Sequence, residues 1–348
     1  MSAKDSPLGP VTVLGAHILD VLGRPVEAIP PGQGSAKLEQ ISATAAGTAA
    51  GTGVDLAKLG ADVLAVGAIG DDLLGDMVTA AMARYGVDTG GLSRKPGVQT
   101  SATILPIRPN GERPALHVRG ATPLLELADV DLERVRASRA LLVGGPDALG
   151  AIVDDGLAQV AAAARDGGAL VAVDVLHPGS PGDLERIGGL LKVADWFLPN
   201  GDQLLALTGR GDIPSAVKDI LALGTGGVAV TLGADGCLVG WQGGDELVTL
   251  PAIEVDVVDT TGCGDGFTAG MLAGLLLGVG PVDAAWLGTA CGSLVATALG
   301  SDAGIVNLGQ VLQFLERAEP AVAGRIAAAV RRGTPARGPQ QAKEQNHE

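Results

Sequence analysis

The segment DTTGCGD at residues 259–265 combines the residue types of an anion site with one carboxylate. Gly262 and Gly264 carry no side chain, so the backbone can approach an anion closely. The N–H groups at the start of a following helix would attract negative charge. The segment therefore predicts a phosphate-binding turn, at which Asp265 can accept the proton of an attacking hydroxyl. Capping of the helix by Asp265 is the alternative interpretation, and both roles can coexist.

A regular alternation of short and long segments must position this turn. Runs rich in Val, Ile and Leu alternate with Ala- and Leu-rich segments of helical periodicity, as a parallel sheet with crossover helices requires. Val255 to Val258 would be the strand before the turn, and Gly266 to Leu277 the helix after it. The sequence predicts a doubly wound α/β fold, whose other strand candidates are Val11–Leu14, Val63–Ala68, Ala140–Val143, Leu170–Asp174, Trp196–Leu198 and Val228–Leu232.

Two regions, residues 18–42 and 98–119, break this alternation. Neither has the periodicity of a helix, and the second indicates a hairpin that turns at Asn110-Gly111. Strands that leave the main sheet at two places can pair into a small β-sheet that covers a substrate cleft as a lid. We therefore expect one core domain over residues 1–330 with this lid. Residues 331–348 are rich in Gly, Pro, Gln and charge, which predicts a disordered tail.

The charge of the chain limits its partners. It has 24 basic and 39 acidic side chains, and a net charge of −15. A strongly acidic protein repels phosphate backbones and anionic membrane surfaces, so we expect neither a nucleic acid nor a membrane as partner. A nucleotide can still bind, because backbone N–H groups act at contact distance. The GxxxxGK[ST] loop is absent, and GAHILD rather than GxGxxG follows the first strand, which disfavours those nucleotide-binding classes.

Cysteines and apolar segments indicate a cytoplasmic protein. Cys237, Cys263 and Cys291 are odd in number and lack the CxxC spacing of a zinc site. The first ten residues lack the apolar run of a secretion signal. Residues 266–282 and 284–301 are uncharged, but their content of Gly, Ser and Thr favours buried helices over membrane spans.

The chain resembles the ribokinase, or PfkB, family of carbohydrate kinases. DTTGCGD is similar to the second signature of that family, and AAGTAAGTGVDLAKLGADVLAVGAIGDDLLGD, residues 45–76, resembles the first. With the strand order, the resemblance covers about residues 11–315. It implies a ribokinase-like fold and a transfer of the γ-phosphate of Mg·ATP to a sugar hydroxyl. ATP and Mg²⁺ would be the cofactors, and a monovalent cation such as K⁺ is a further candidate.

The second signature implies the catalytic residues. By the resemblance, Asp265 would be the catalytic base. The N–H groups of Gly262, Cys263 and Gly264 would form the anion hole for the transferred phosphoryl group, where charge develops during transfer.

Substrate-binding positions follow from the first strand and the first signature. The resemblance implies that Asp20 binds substrate hydroxyls, unless it is an exposed charge of the lid, and that Gly47 faces the sugar. His17 lies close to Asp20 and would contact the substrate, unless nearby backbone satisfies its ring. Gly51 and Thr122 stand where many members have Asn. Loss of two amides changes the hydrogen bonds offered to a sugar, so the particular substrate stays open.

The metal positions depart from the family pattern. Asn200 resembles the start of the Asn-x-x-Glu motif, which helps to place Mg²⁺ and phosphate. Gln203 stands at the position of the glutamate, and a neutral amide cannot supply its charge. We therefore expect the metal to depend on other acids, Asp202 and Asp259.

Two further segments resemble nucleotide contacts. TLGADG, residues 231–236, follows a strand and would approach the phosphates, with an ordinary β-turn as the alternative. Small residues in a later helix would border the adenine, or serve helix packing. The predicted contacts are Thr231, Gly233, Gly236, Ala290, Gly292 and Ser293.

The acceptor is left open among several classes. No aromatic residue lies in the lid segments or near Asp20, so a nucleobase lacks a stacking platform and a sugar, sugar acid or sugar phosphate is favoured. Arg108, Arg113 and Arg119 in the lid could bind an anionic substrate, or be solvated strand charges. A nucleoside kinase and a catalytically silent binding protein on this fold are the alternatives. The edge of the lid also makes a homodimer an expectation.

Overall fold

The computed structural model describes residues 6–110 and 112–333, and their strands form two separate sheets. In chain order the strands are β1 (Pro10–Gly15), β2 (Ile18–Arg24), β3 (Gln40–Ala46), β4 (Asp62–Gly70), β5 (Asp88–Lys95), β6 (Ala102–Pro106), β7 (Leu116–Val118), β8 (Ala140–Gly144), β9 (Leu170–Asp174), β10 (Trp196–Phe197), β11 (Gly227–Thr231), β12 (Cys237–Trp241) and β13 (Val248–Leu250). The helices are α1 (Thr48–Lys58), α2 (Leu73–Ala83), α3 (Leu132–Arg136), α4 (Gly156–Asp166), α5 (Pro181–Leu191), α6 (Gly201–Thr208), α7 (Ile213–Leu223), α8 (Cys263–Leu276), α9 (Pro281–Val295), α10 (Leu308–Ala318) and α11 (Pro320–Arg332).

The large sheet has nine strands in the order β13-β12-β11-β10-β9-β8-β1-β4-β5. Its pairs are parallel except where β12 meets β11 and β13. All five residues of β8 and all five of β9 are buried, because helices cover both faces of the sheet. The predicted doubly wound α/β fold is confirmed, and each of the six strand candidates outside the anion turn forms a strand.

Two apolar cores lie on opposite faces of this sheet. Along β8, Ala140 and Leu142 belong to one core, whereas Leu141 and Val143 belong to the other. Helices α1, α8 and α9 pack in the first core, and α4 to α7 pack in the second. A Cβ at Gly270 of α8 would lie 2.6 Å from the carbonyl of Leu287, so small residues let α8 and α9 pack closely. The two uncharged segments thus form buried helices, and the part of the chain that the structure describes has no helix suited to span a membrane.

The small sheet has four strands in the order β3-β2-β6-β7. Its cross-strand register aligns a polar row on one face, formed by Thr44, Asp20, Thr103 and His117. The other face carries apolar side chains, of which Ile41, Ile104 and Leu116 are exposed. The strands come from the two regions predicted for the lid, although β3 continues to Ala46. The predicted turn residue Gly111 lies outside the described residues.

Two predictions about secondary structure were wrong, one for a strand and one for the start of the tail. Residues 255–258 form no strand, and Val257 is 63% exposed, so irregular chain leads into the anion turn. Helix α11 continues to Arg332, so the predicted tail cannot begin at Arg331. The rest of that tail, residues 334–348, lies outside the described residues, as do the first five residues of the chain.

Candidate active site

The predicted anion turn lies at the start of α8. Gly262 caps the helix with a φ of 80°, and an added Cβ would lie 2.6 Å from the Cα of Ser301, so only glycine fits there. Gly264 is exposed, and the space beside its Cα is open. Its N–H and that of Asp265 belong to the first turn of α8, where no earlier carbonyl of the helix can accept them. The N–H of Cys263 already faces the carbonyl of Thr260 at 3.4 Å. Gly264 is therefore the most accessible donor of the predicted anion hole.

Asp259 holds this turn in place by hydrogen bonds from residues on both sides of α8. Its Oδ1 accepts hydrogen bonds from the N–H of Thr261 at 3.0 Å and from Oγ1 of Thr261 at 2.8 Å. Its Oδ2 accepts from the N–H of Gly300 at 3.0 Å. With both oxygens engaged and 1% of its surface exposed, Asp259 holds the loop together. The expectation that Asp259 binds the metal is not supported by this arrangement.

The carboxylate of Asp265 lies directly over Gly51 of α1. A Cβ at residue 51 would overlap Oδ2 of Asp265, so the missing side chain leaves room for this carboxylate. Gly51 is itself buried, so we assign it this steric role in place of the substrate contact expected from its sequence position. The unusual residue of the first signature and the base of the second are thus in contact.

Asp265 is half-buried and stands among other acids. Burial and the like charges of three nearby carboxylates raise its pKa well above the usual value, and the positive charge of Arg113 opposes this. The three carboxylates are Asp174, Asp55 and Asp20. Asp265 therefore holds a proton more strongly than an ordinary aspartate does.

Sequence reasoning missed two of these acids. Asp174 ends β9, accepts a hydrogen bond from Oγ1 of Thr268 at 3.0 Å, and has a pKa raised to about 8 by burial. Asp55 is fully buried on α1, and burial raises its pKa to about 7 despite Lys58, whose Nζ is 3.3 Å away. The signal for Asp174 was its place at the carboxyl end of an apolar parallel strand, where ligands of such sheets bind.

The lid contributes Asp20 and an arginine to the same place. Asp20 is 8% exposed, so it is not an exposed lid charge. Burial raises its pKa to about 6, although a hydrogen bond from Thr103 and the charge of Arg113 lower it. Nη1 of Arg113 lies 3.5 Å from Oγ1 of Thr261, so this lid residue reaches the anion turn. In contrast, Arg108 points to Glu112 at 3.6 Å and stays with the lid surface.

The other residues predicted to bind the substrate are His17, Gly47 and Thr122, and they differ in what they contact. His17 has no exposed surface; its Nδ1 lies 3.0 Å from the carbonyl of Gly15, and burial lowers its pKa to about 4. The expected substrate contact of His17 is therefore not available. Gly47 caps α1 with a φ of 84°, where a Cβ would lie 2.7 Å from the carbonyl of Ala16. Thr122 is buried with its Oγ1 2.6 Å from Oγ of Ser101.

The departure at Gln203 has a structural explanation. Asn200 and Gln203 form a capping box at the start of α6, with N–H to side-chain oxygen distances of 2.9 and 2.8 Å. Nε2 of Gln203 donates to the carbonyl of Val175 at 2.9 Å. A glutamate could not donate this last bond, so the amide fixes α6 to β9. Asp202, one residue earlier, is exposed.

The predicted nucleotide positions lie at the same edge of the sheet. Asn200 forms an isolated parallel bridge with Thr231, at the end of β11. Gly233 borders open space, whereas a Cβ at Gly236 would overlap the carbonyl of Leu250, so Gly236 is needed for the turn itself. Ala290 has no exposed surface and packs in the core, which contradicts its predicted adenine contact. Ser293 on the same helix is half-buried and keeps that role as a prediction.

Comparison with known proteins agrees with this geometry. Residues 10–307 match the pfkB family carbohydrate kinase. A fructokinase-1 of Oryza sativa subsp. japonica is 27% identical over 287 residues, which cover 78% of this chain and 88% of that protein. A 2-dehydro-3-deoxygluconokinase of Bacillus subtilis is 29% identical over 281 residues, or 78% of this chain and 86% of that protein.

The fold has solved counterparts as well. The structure of Arabidopsis thaliana ribokinase complexed with ribose and ATP superposes with a TM-score of 0.75 at 25% identity, and covers 88% of this chain and 98% of that one. The match spans both sheets and both signatures, from β1 to the start of α10. The chain therefore belongs to the PfkB family of carbohydrate kinases.

Proposed function

We propose that the protein transfers the γ-phosphate of Mg·ATP to a hydroxyl of a sugar or sugar derivative, with Asp265 as the base. The observation that carries the proposal is the position of Asp265, in the first turn of α8 beside the open N–H of Gly264. An acceptor oxygen at Asp265 would face a phosphoryl group held at that turn. Transfer needs little more from a protein than such positioning and charge stabilisation.

The proposed step follows from the groups around the turn. Deprotonated Asp265 takes the hydroxyl proton as the acceptor oxygen bonds to phosphorus and the bond to ADP breaks. The N–H of Gly264 and the guanidinium of Arg113 balance the charge on the transferred group. Asp20 accepts a hydrogen bond from a second hydroxyl and thereby orients the acceptor.

We propose that Mg²⁺ arrives with ATP and keeps most of its ligands from phosphate and water. Over residues 6–110 and 112–333, no three His, Cys, Asp or Glu side chains converge on one point as metal ligands. Asp202 is exposed in the first turn of α6, next to Asn200, and is the acid that we assign to contact the hydrated metal. A monovalent cation such as K⁺ stays a candidate, which a KCl titration of activity would test.

We further propose that the small sheet closes over the acceptor as a lid. Its polar face carries Asp20, and its hairpin carries Arg113, and both already lie near the anion turn, so closure would hold them there and exclude water. The apolar outer face, with Ile41 and Ile104, would suit a second copy of the chain, and light scattering would measure the dimer. Three free thiols favour a reducing compartment, the cytoplasm.

The test of the activity is ADP release across a panel of sugars, sugar acids, sugar phosphates and nucleosides.

The variant Asp265→Asn tests the base. It keeps the size of the side chain and removes the base, so we expect turnover to fall by about 10²–10⁴-fold with ATP binding retained. Asp166→Asn, at an exposed residue of α4, is the matched control and should leave turnover unchanged. Near-normal turnover of Asp265→Asn would refute the role of the base. Ligand-induced thermal shifts without ADP formation would favour a silent binding protein.

A further inference from the structure

A cavity of about 440 Å³ borders the small sheet at Ile18 and His117. It lies between the end of β7, the chain after β8 and β9, and the outer face of α5. Ile18 and Thr122 form part of its wall, and Thr122 was predicted from sequence to approach the substrate. Four side chains that can carry a positive charge, from three segments, meet there: His117 and Arg119, His177, and Arg186.

The acidic residues of this cavity form hydrogen bonds with groups other than the two arginines. Asp147 accepts hydrogen bonds from the N–H groups of Leu176 and His177, each at 2.8 Å, and its Oδ2 lies 2.9 Å from Nδ1 of His177. Asp183 accepts from Oγ of Ser180 at 2.7 Å. Both carboxylates keep their charge, but among the described residues neither forms a salt bridge with Arg119 or Arg186. The pairing with Asp147 also raises the pKa of His177, which favours its charged form.

The arginines differ in how they are held. Arg186 donates to the carbonyl of Gly150 at 2.6 Å and to Asp154 at 3.3 Å, so it is fixed on the wall. Arg119 has only a long contact to the carbonyl of Ala148, at 3.5 Å, and forms no salt bridge with any residue that the structure describes. A guanidinium with five donors and one weak partner can accommodate an anion bidentately. Arg119 is therefore the principal free donor of the cavity.

The cavity is connected to the reaction centre through the polar face of the lid. Nδ1 of His117 lies 3.1 Å from Oγ1 of Thr103, and Thr103 hydrogen-bonds to Asp20. Asp20 in turn is close enough to Asp265 to raise its pKa. An acceptor with one hydroxyl at Asp265 and another at Asp20 would extend its far end into the cavity.

We infer that the acceptor carries a carboxylate or phosphate at the end remote from the transferred phosphoryl group, and that Arg119 and Arg186 bind this anion in the cavity. The inference rests on the proposed kinase function and names its substrate class: a sugar acid or a sugar phosphate. A neutral sugar would leave the charge of Arg119 without an anionic partner, and would gain little from the cavity.

The test compares kcat/KM for three acceptors built on one carbon chain: a neutral hexose, the matching sugar acid and the matching sugar monophosphate. We expect one of the anionic acceptors to exceed the hexose by at least about 100-fold, and the better of the two identifies the anion. Arg119→Gln should reduce that preference by about 10–100-fold, mainly through KM, because each lost bidentate pair removes binding energy to the charged group alone.

Two controls separate this role from a structural one. Arg119→Lys keeps the charge and should restore part of the preference, and Arg325→Gln removes an exposed arginine that pairs with Asp283 elsewhere, so it should change nothing. Preference of the wild type for the hexose would overturn the inference and leave the kinase function standing. An equal loss for charged and neutral acceptors in Arg119→Gln would overturn it too. Calorimetric binding of an anionic acceptor without any transfer would support the cavity and contradict the kinase function.

Discussion

The two walls of the cleft differ in charge, because both carry carboxylates and the lid wall also carries Arg113 and Arg119. The core wall holds Asp265 with Asp174 and Asp55 close behind it, and no cation from the core faces the base among the groups that shift its pKa. The lid wall brings Arg113 to the anion turn and Arg119 to the cavity. An acidic core would repel the phosphates of ATP if it acted alone. The small sheet thus brings positive charge to the anion turn, and this is the charge that the proposed phosphoryl transfer would use.

The walls also differ in how their groups are fixed. On the core wall, backbone contacts determine position: Gly262 fits against Ser301, and Asp265 fits over Gly51. On the lid wall, Arg113 and Arg119 are long side chains that each make one polar contact with the core, at 3.5 Å. We therefore expect core substitutions to reduce turnover more strongly than lid substitutions.

The largest of these effects is expected for Gly51→Ala. Its new methyl group would overlap Oδ2 of Asp265 and force the base to move, and a displacement of about 1 Å can cost about 10²-fold in rate. We expect kcat to fall by that order while ATP binding is nearly unchanged. Gly188→Ala in α5, where an added Cβ meets nothing within 4 Å, is the matched control and should leave kcat unchanged. Full activity of a folded Gly51→Ala would show that Asp265 is not held as described.

A smaller effect is expected for Arg113→Gln on the lid wall. The positive charge of Arg113 lowers the pKa values of Asp265 and Asp20, so its loss should raise both. A base with a higher pKa is protonated over a wider range, and the acid limb of the profile of kcat/KM against pH should move to higher pH. We also expect kcat to fall by about 10-fold, since one cation near the transferred group is lost.

Two other lid variants sharpen this prediction. Arg113→Lys retains the charge and should keep the acid limb in place. Arg108→Gln removes an arginine that pairs with Glu112, and it should leave both kcat and the limb unchanged. An unchanged limb in Arg113→Gln would mean that the lid does not approach the base in solution.

Most of the fold could be predicted from the sequence, because local patterns determine it. Apolar runs such as 140–143 are buried on both faces of a parallel sheet, and their composition shows it. The pattern failed at residues 255–258, whose valines alternate with acids as in a strand but have no partner strand to pair with. Strands β5 and β13 were missed, since they are the two edge strands of the sheet and only part of their surface is buried. Strand β12 was missed as well, although four of its five residues are buried.

The site was predictable only where the motif itself carries the chemistry. The turn at 259–265 was found because glycines and a carboxylate adjoin in sequence. The contact of Gly51 with Asp265 joins residues more than 200 positions apart, which no local pattern reveals. Burial decided the errors: His17 and Ala290 have the residue types of ligand contacts, yet both have no exposed surface. Side-chain direction, unlike periodicity, depends on the assembled core.

The smallest effect concerns stability, and it tests the acidity of the core wall through Asp174. Folding raises the pKa of Asp174 from its ordinary 3.8 to about 8, so the folded state binds this proton more tightly than the unfolded chain. That contribution to the free energy of unfolding is fully present below about pH 4 and is lost as pH rises from there to about 8. Asp174→Asn cannot ionise, and it can still accept the hydrogen bond of Thr268.

Relative to the wild type, the variant should therefore gain on the order of 2–4 kcal/mol in free energy of unfolding between pH 5 and pH 8, since each pH unit in this window corresponds to about 1.4 kcal/mol. Urea unfolding of both proteins at pH 5, 6.5 and 8 measures this difference. Asp166→Asn, at an exposed residue of α4, controls for the removal of one surface charge. A difference that does not grow with pH would show that Asp174 is ionised in the folded protein, and that the core wall is more solvated than its burial indicates.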